Sequence, residues 1–218
     1  MLAVEVEVEV VAGPRVMRLG PASPGMEVEL AAGAVLSTGM ASWQDPPPEV
    51  WREDEGRRVH VKLKGHEQLW PPLIREGGVM ELGLAASLTS RMHKRQRLFP
   101  ATGAAHAAAL FDSRGELLAM AEDISRHNAL DKAAGKAWME GTIVRAQALA
   151  LSSRVSAQML TKAAYTGVGI VVSVSAPTAR AVELARELGM TLIGFARPGR
   201  ANIYSHPWRV GIGEETHD

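Results

Sequence analysis

Residues 146–195 read AQALALSSRVSAQMLTKAAYTGVGIVVSVSAPTARAVELARELGMTLIGF. Three short apolar runs, Ala146–Leu151, Ile170–Val174 and Thr191–Phe195, alternate with two stretches of helical spacing, Ala157–Tyr165 and Ala179–Leu188. Buried strands separated by helices of this length are βαβ units, which build a parallel sheet through right-handed crossovers. Working outward, a helix over Asn128–Glu140 leads into the first of these strands. Ahead of it, His106–Phe111 and Glu116–Ala121 are joined by Asp112-Ser113-Arg114-Gly115, a tight turn by composition. That hairpin sets its first strand antiparallel to the others. The expected core is α/β: a mixed, mostly parallel sheet of five strands, with one antiparallel edge strand and helices on both faces.

A helix over Val79–Arg97, with Leu84, Leu88 and Met92 on one face, precedes the hairpin. The first third is organised differently. Val4–Val10 alternates valine with glutamate, the period of a half-buried strand. Ala12-Gly13-Pro14-Arg15 turns it into a second strand, Val16–Leu19, and a short helix follows over Met26–Leu36. Val50–Arg52 and Arg57–Leu63 read as a hairpin around Asp54-Glu55-Gly56. Gly65–Gly78, with its Pro71-Pro72 and Gly77-Gly78 pairs, reads as a linker. The expected division is a small β-rich domain over 1–75 and the α/β core over 76–218.

Composition narrows the function. The 218 residues carry 24 basic and 24 acidic side chains. A neutral chain has no general attraction for nucleic acid or an anionic membrane, so neither is expected as a partner. No apolar run is long enough to span a bilayer. The acids among the opening valines do not suit a signal-peptide core, and a cytoplasmic location is expected. These residues include no cysteine, which removes disulfides, thiolate metal sites and any sulfur carried on a thiol of this stretch.

The topology makes a geometric prediction. Loops that follow parallel strands emerge on one edge of the sheet. Glu122–His127, Ser152–Ser156, Ser175–Thr178 and Ala196–Asn202 belong there, and the antiparallel strand brings Thr102, Gly103 and His106 to the same edge. Ser175-Ala176-Pro177-Thr178 opens a helix, either as a simple cap with proline in the first turn or as a helix N-terminus that accepts phosphate. Ser152-Ser153-Arg154 is a second such junction, and Arg197-Pro198-Gly199-Arg200 is a turn with two arginines. Three anion-friendly loops on one edge favour a phosphorylated ligand. His127 and Asp131, four apart, share a helix face, as an i,i+4 pair or as a site wall. His106 is either a satisfied core histidine or a site residue. A P-loop, G-x-G-x-x-G after a strand and H-E-x-x-H are all missing. A helix, a hairpin and then βα units is the order of cytidine-deaminase-like folds, yet zinc deaminases need H-x-E and P-C-x-x-C, which this sequence lacks.

Several of these stretches together carry a resemblance. FPATGAAHAA at 99–108 resembles the F-x-x-T-G-G-x-H-x-A segment of the FdhD/NarQ family, and EDISRHNALDK at 122–132 is similar to its E-D-I-G-R-H-N-A-x-D-K. SSRVSAQMLTK at 152–162, SVSAPTARAVELA, TLIGFAR and NIYSHPWR resemble the closing segments, so the match runs from about Leu82 to Val210. ELAAGAVLSTG at 29–39 is a weaker match to L-A-x-G-x-L-x-x-E-G.

The resemblance implies a dimeric accessory sulfurtransferase for formate dehydrogenase with a cytidine-deaminase-like core. Such a protein takes persulfide sulfur from a cysteine desulfurase onto a C-x-x-C loop and passes it to the molybdenum bis(guanine dinucleotide) cofactor. By motif position, Phe195, Ala196, Arg197, Pro198, Gly199 and Arg200 become the cofactor-contacting loop. Ser175, Thr178, Arg154, His106 and His127 lie on the same edge, and GDP is the expected minimal ligand. No metal is expected to bind directly.

The departures fall on the sulfur-handling parts. The segment 65–78, where the C-x-x-C loop belongs, holds no cysteine. Ala104, Ser125 and Ser153 stand where the family has glycine, and Gln158 where it has a carboxylate. The expected function is therefore a homodimeric FdhD-like accessory protein that binds the cofactor or GDP without carrying persulfide, and no catalytic residue is assigned. Two alternatives stay open: a sulfuration subunit beside a cysteine-containing partner, and an enzyme of another type using His106, His127 and Asp131.

Overall fold

The computed structural model describes residues 1–53, 57–65, 70–74 and 79–211. The chain opens with strands β1 (Val6–Ala12) and β2 (Arg15–Ala22), helix α1 (Glu27–Ser37), and strands β3 (Glu49–Glu53) and β4 (Arg58–Lys62). These strands form a sheet in the order β2-β1-β4-β3. The valine–glutamate alternation does what its period requires: Val8 and Val10 are buried while Glu7 is exposed. The predicted β3–β4 hairpin is present as an antiparallel pair, and its turn, 54–56, lies outside the described residues.

The second part runs β5 (Met80–Glu81), α2 (Leu82–His93), α3 (Leu98–Thr102), β6 (His106–Phe111), β7 (Leu117–Asp123), α4 (Arg126–Met139), β8 (Ala148–Leu151), α5 (Ala157–Tyr165), β9 (Ile170–Ser173), α6 (Ala179–Glu187), β10 (Thr191–Arg197), β11 (Arg200–Ser205) and β12 (Val210–Gly211). The main sheet has the order β11-β10-β9-β8-β6-β7, and β12 pairs with β5 in parallel. The α/β class holds. α2 covers one face over Ala109, Ala150 and Val172, and α4, α5 and α6 cover the other.

Three expectations need correction. The sheet has six strands, not five, because β10 turns back into β11 where a loop was expected. The antiparallel strand β6 is not at an edge: it lies between β7 and β8, antiparallel to both, and the antiparallel edge strand is β11. A hairpin partner can add on either side, and the turn composition does not say which. The helix over Val79–Arg97 is shorter. The Glu81 carboxylate caps α2 by accepting from the Gly83 and Leu84 N–H groups at 2.6 Å, and a separate turn, α3, follows. The predicted linker is partly outside the described residues. Within it, the Ile74 N–H donates to Leu188 O (2.8 Å), and Ile74 O accepts from Arg209 Nη2 (2.6 Å), so that segment is tied to the core.

A single buried cluster extends from Val8, Val10 and Leu30 to Leu149, Val171 and Leu192. Its joint is the contact of α1 with α4. Two glycines face each other there: a Cβ on Gly33 would overlap the Asp131 carbonyl, and one on Gly135 would overlap the Glu29 carbonyl. The two backbones meet because neither carries a side chain at the crossing.

Candidate functional site

Strands β7, β8, β9 and β10 point the same way, so their C-terminal ends share one edge, where β6 begins. The loops there are tightly tied. The Val155 N–H donates to Ala176 O (3.2 Å), the Thr178 N–H to Val155 O (2.9 Å), and Ser173 Oγ to Ser153 O (2.6 Å). Ser152 Oγ accepts from the Ala107 N–H at 2.8 Å and fixes the start of β6.

Ser125, Ser156 and Thr178 cap α4, α5 and α6 through their own hydroxyls. At position 125 the serine that replaces the family glycine thus serves as an N-cap. Ser153 is buried, with its hydroxyl donating to Arg154 O, whereas Ala104 and Gln158 are exposed. The Ser175 N–H donates to Ser173 Oγ (3.0 Å), and its carbonyl accepts from the Phe195 N–H (3.2 Å).

The β10–β11 hairpin stands over this edge. Phe195 has φ 53°, a left-handed conformation rare for an aromatic residue, at an irregularity in the β10–β11 pairing. The residue is 41% exposed. Gly194 lies against Pro177 and Tyr204, where a Cβ would come within 2.9 Å of Pro177 Cδ. Ala196 is buried, and its carbonyl accepts from Thr89 Oγ1 (3.2 Å) and Arg197 Nη1 (2.8 Å). Arg197 Nη1 also donates to Val174 O at 2.9 Å. Pro198, Gly199 and Arg200 form the exposed turn.

Charge on this edge is lopsided. Its acids are engaged from within. Asp123, fully buried, pairs with Lys132 Nζ at 2.7 Å and accepts from the Ser23 N–H. Burial raises the Glu122 carboxyl, but N–H donation from Arg97, Leu98 and Phe99 and the Gln96 amide outweigh it, and the net pKa lies below the ordinary value. Asp131 pairs with Lys162 Nζ at 2.6 Å and accepts from Ser37 Oγ. By contrast, Arg126, Arg154, Arg197 and Arg200 pair with no carboxylate among the described residues, and Arg126 Nε is buried without a hydrogen-bond partner. A neutral chain therefore presents a positive edge.

The two histidines are half-buried and biased towards the neutral form. Burial lowers the pKa of His106, and the Arg126 charge adds to the effect. Burial also lowers that of His127, followed by Lys162 and Arg126, while Asp131 pulls the other way. Both oxygens of Asp131 accept from Lys162, so its carboxylate is engaged by that ammonium.

Beside the edge, on the face covered by α2, opens a chamber of about 760 Å³. Its walls include Thr89, His93, Gln96, Phe99, His106 and Arg197. Of the residues expected to hold a ligand, it gathers His106, Arg197 and Pro198; Phe195, Ala196, Gly199, Arg200, Ser175, Thr178, Arg154 and His127 lie outside its lining. The contribution of His93 and Gln96 is not legible in the sequence, because Lys94-Arg95-Gln96-Arg97 continues a helical pattern that the chain breaks. The available signal was Glu122, which reaches back to hold α3.

The model of the FdhD/NarQ family matches residues 79–211, and the chain belongs to that family. It is 41% identical over 152 residues to the sulfur carrier protein FdhD of Picrophilus torridus, covering 69% of this chain and 56% of that protein. It is 46% identical over 124 residues to the FdhD protein of Bacillus subtilis, covering 57% and 47%. The chain thus spans about half the length of the curated relatives it matches. A crystal structure described as a formate dehydrogenase accessory protein from Desulfotalea psychrophila superimposes with a TM-score of 0.82 at 24% identity, covering 96% of this chain and 90% of that one. The fold is shared with that protein. Among the described residues no helix is long and apolar enough to cross a membrane.

Proposed function

We propose that this chain is an accessory protein of formate dehydrogenase maturation that binds the guanine-dinucleotide molybdenum cofactor, without holding persulfide on these residues. One observation carries the reading: on the edge where the parallel strands end, Asp123, Asp131 and Glu122 are engaged from within, and four arginines have no carboxylate partner among the described residues. An anion with several phosphate oxygens is the natural complement of such an edge. The residues present fit the diphosphate part of that cofactor. Arg154 and Arg200 are exposed for charge-assisted contacts, and Arg197 is held in place by two carbonyls. Bound there, the cofactor brings its own molybdenum and pterin chemistry, while this chain's residues bind, orient and neutralise charge.

The sulfurtransferase step of the family needs a thiolate to accept sulfur, and these residues contain none. The enzyme alternative is weakened by the pairing of Asp131. The cytoplasm, a homodimeric state, and formate dehydrogenase and a cysteine desulfurase as partners follow from family membership and belong to the same proposal. Near the end of the described chain, Val210 is buried in β12, whereas Trp208 is 62% exposed and available to a subunit interface. Calorimetric titration of the purified chain with GDP tests the reading. Micromolar or tighter binding supports it, and absence of heat across the millimolar range overturns it.

A further inference from the structure

The four-stranded sheet β2-β1-β4-β3 turns one face, with Val8, Val10, Val59 and Val61, into the core and presents the other outward. The pairing registers set this outer face out in rows across the strands. Val16, Val11, His60 and Trp51 lie opposite one another, one from each strand. This row is apolar and aromatic, and its two ends are the exposed ones: Val16 is 57% and Trp51 50% exposed. The Trp51 ring is stacked on His60, with centroids 5.2 Å apart and planes at 6°, so it is held in place before anything docks. The next row is Arg18, Glu9, Arg58 and Glu53, in the same strand order, with contacts of 3.6, 2.8 and 3.9 Å between successive members. Its charges alternate in sign. On the far side of the apolar row, Lys62 pairs with Glu49 at 3.4 Å.

We propose that this face docks a second copy of the chain, sheet against sheet, about a two-fold axis parallel to the strands. The inference rests on the homodimeric part of the function proposed above and gives it a surface. Such an axis reverses the strand order within each row and keeps the rows in register. Reversing an alternating row of four sets every cation over an anion: Arg18 over Glu53 and Glu9 over Arg58, each twice. The same reversal lays Trp51 over the second copy's Val16, so the two exposed ends of the apolar row cover each other. The other in-plane two-fold, running across the strands along the apolar row, would set Arg58 over Lys62 and Glu53 over Glu49, like charge over like. The charge pattern therefore selects one orientation and opposes the other. An apolar strip between charged rows has the layout of an interface centre and its rim. Four strands about 4.8 Å apart make a small face, in the class below about 1,200 Å² of buried surface that associates weakly and reversibly.

Sedimentation of the full chain from micromolar to millimolar concentration tests this, with Trp51→Ala, Trp208→Ala, Arg18→Glu and the swap Arg18→Glu/Glu53→Arg. Trp51, Arg18 and Glu53 are exposed, so none of these changes removes core packing, and circular dichroism checks the fold. The expected result is a reversible monomer–dimer equilibrium. Trp51→Ala should raise its dissociation constant about thirtyfold or more, because the ring is buried twice per dimer. Arg18→Glu should raise it about fivefold or more, and the swap should recover most of that loss. Within one chain Arg18 and Glu53 stand at opposite ends of their row, on β2 and β3, so a rescue can come only from the second copy. A dimer that ignores Trp51→Ala and is lost with Trp208→Ala, outside this sheet, overturns the face and leaves the homodimer standing. Weakening by Arg18→Glu that the swap does not relieve overturns the two-fold. A monomer at every concentration overturns the face and the homodimer together. GDP calorimetry on the same variants reads cofactor binding separately, since none of them alters the arginine edge.

Discussion

Lys162 reaches from α5 to Asp131 on α4, where its ammonium lies 2.6 Å from one carboxylate oxygen and 2.9 Å from the other, and it also donates to Ser37 of α1. Three helices are thus tied at one buried point. Removing one partner of such a pair strands the other: Asp131 is 1% exposed and would keep its charge without a counterion. Lys162→Met should cost about 3–5 kcal/mol of stability, measured by urea denaturation. The double variant Lys162→Met/Asp131→Leu should recover a large part of that loss, because no lone charge remains.

A glycine-to-alanine change in the middle of a helix ordinarily stabilises by up to about 1 kcal/mol. At Gly33 and Gly135 the sign should reverse, since the added methyl meets the backbone of the facing helix. Each variant should lose about 1–3 kcal/mol. A raised melting temperature for either would show that α1 and α4 do not cross as closely as described.

Arg200 and Arg154 are exposed and pair with no carboxylate among the described residues, so their removal should leave folding unchanged and act on ligand alone. A charge-assisted contact to phosphate is worth about 1.5–3 kcal/mol. Arg200→Ala should weaken GDP by about tenfold to a hundredfold, with a smaller dependence on salt.

Burial lowers the pKa of both His106 and His127 below the ordinary 6.5. Below that value the unfolded chain binds these protons more readily than the folded one, so stability should fall with pH there. Their contribution is present in full above pH 6.5 and is lost as the pH falls through the folded values. Urea midpoints at pH 7.5 and pH 5.5 should differ, and the difference should shrink in His106→Gln/His127→Gln. An unchanged difference would place the linkage elsewhere.

Sulfur labelling addresses the chemistry. Incubation with a cysteine desulfurase and radiolabelled cysteine should leave no label on the protein, because serine forms no persulfide and a methionine thioether has no exchangeable thiol. Expressed alone in cells lacking their own FdhD protein, the chain should not restore formate dehydrogenase activity. Restoration would mean that sulfur transfer in this family does not require a thiol on the carrier.

The βα alternation was legible because its period survives in the core: Leu149, Val171 and Leu192 face one side of the sheet, and Ala150, Val172 and Ile193 the other. The position of β6 was not, since a hairpin fixes direction and leaves spatial order to packing. β11 was missed because Arg200–Ser205 is a half-exposed edge strand with polar residues at most positions, and its pairing comes from β10 rather than from its own pattern. The polar edge followed from topology alone. The chamber did not, because its walls are assembled from α2, α3 and β6, and no local spacing records that His93 will meet Phe99.

The parallel pairing of Met80–Glu81 with Val210–Gly211 sets a timetable. α2, which walls the chamber, starts directly from the first of these segments, and the second is among the last described residues to leave the ribosome. While the chain is being made, the sheet and its arginine edge can assemble strand by strand, but the entry of α2 has no partner until translation has passed Gly211. The entry of α2, and the chamber wall that continues from it, therefore depends on residues at the far end of the described chain.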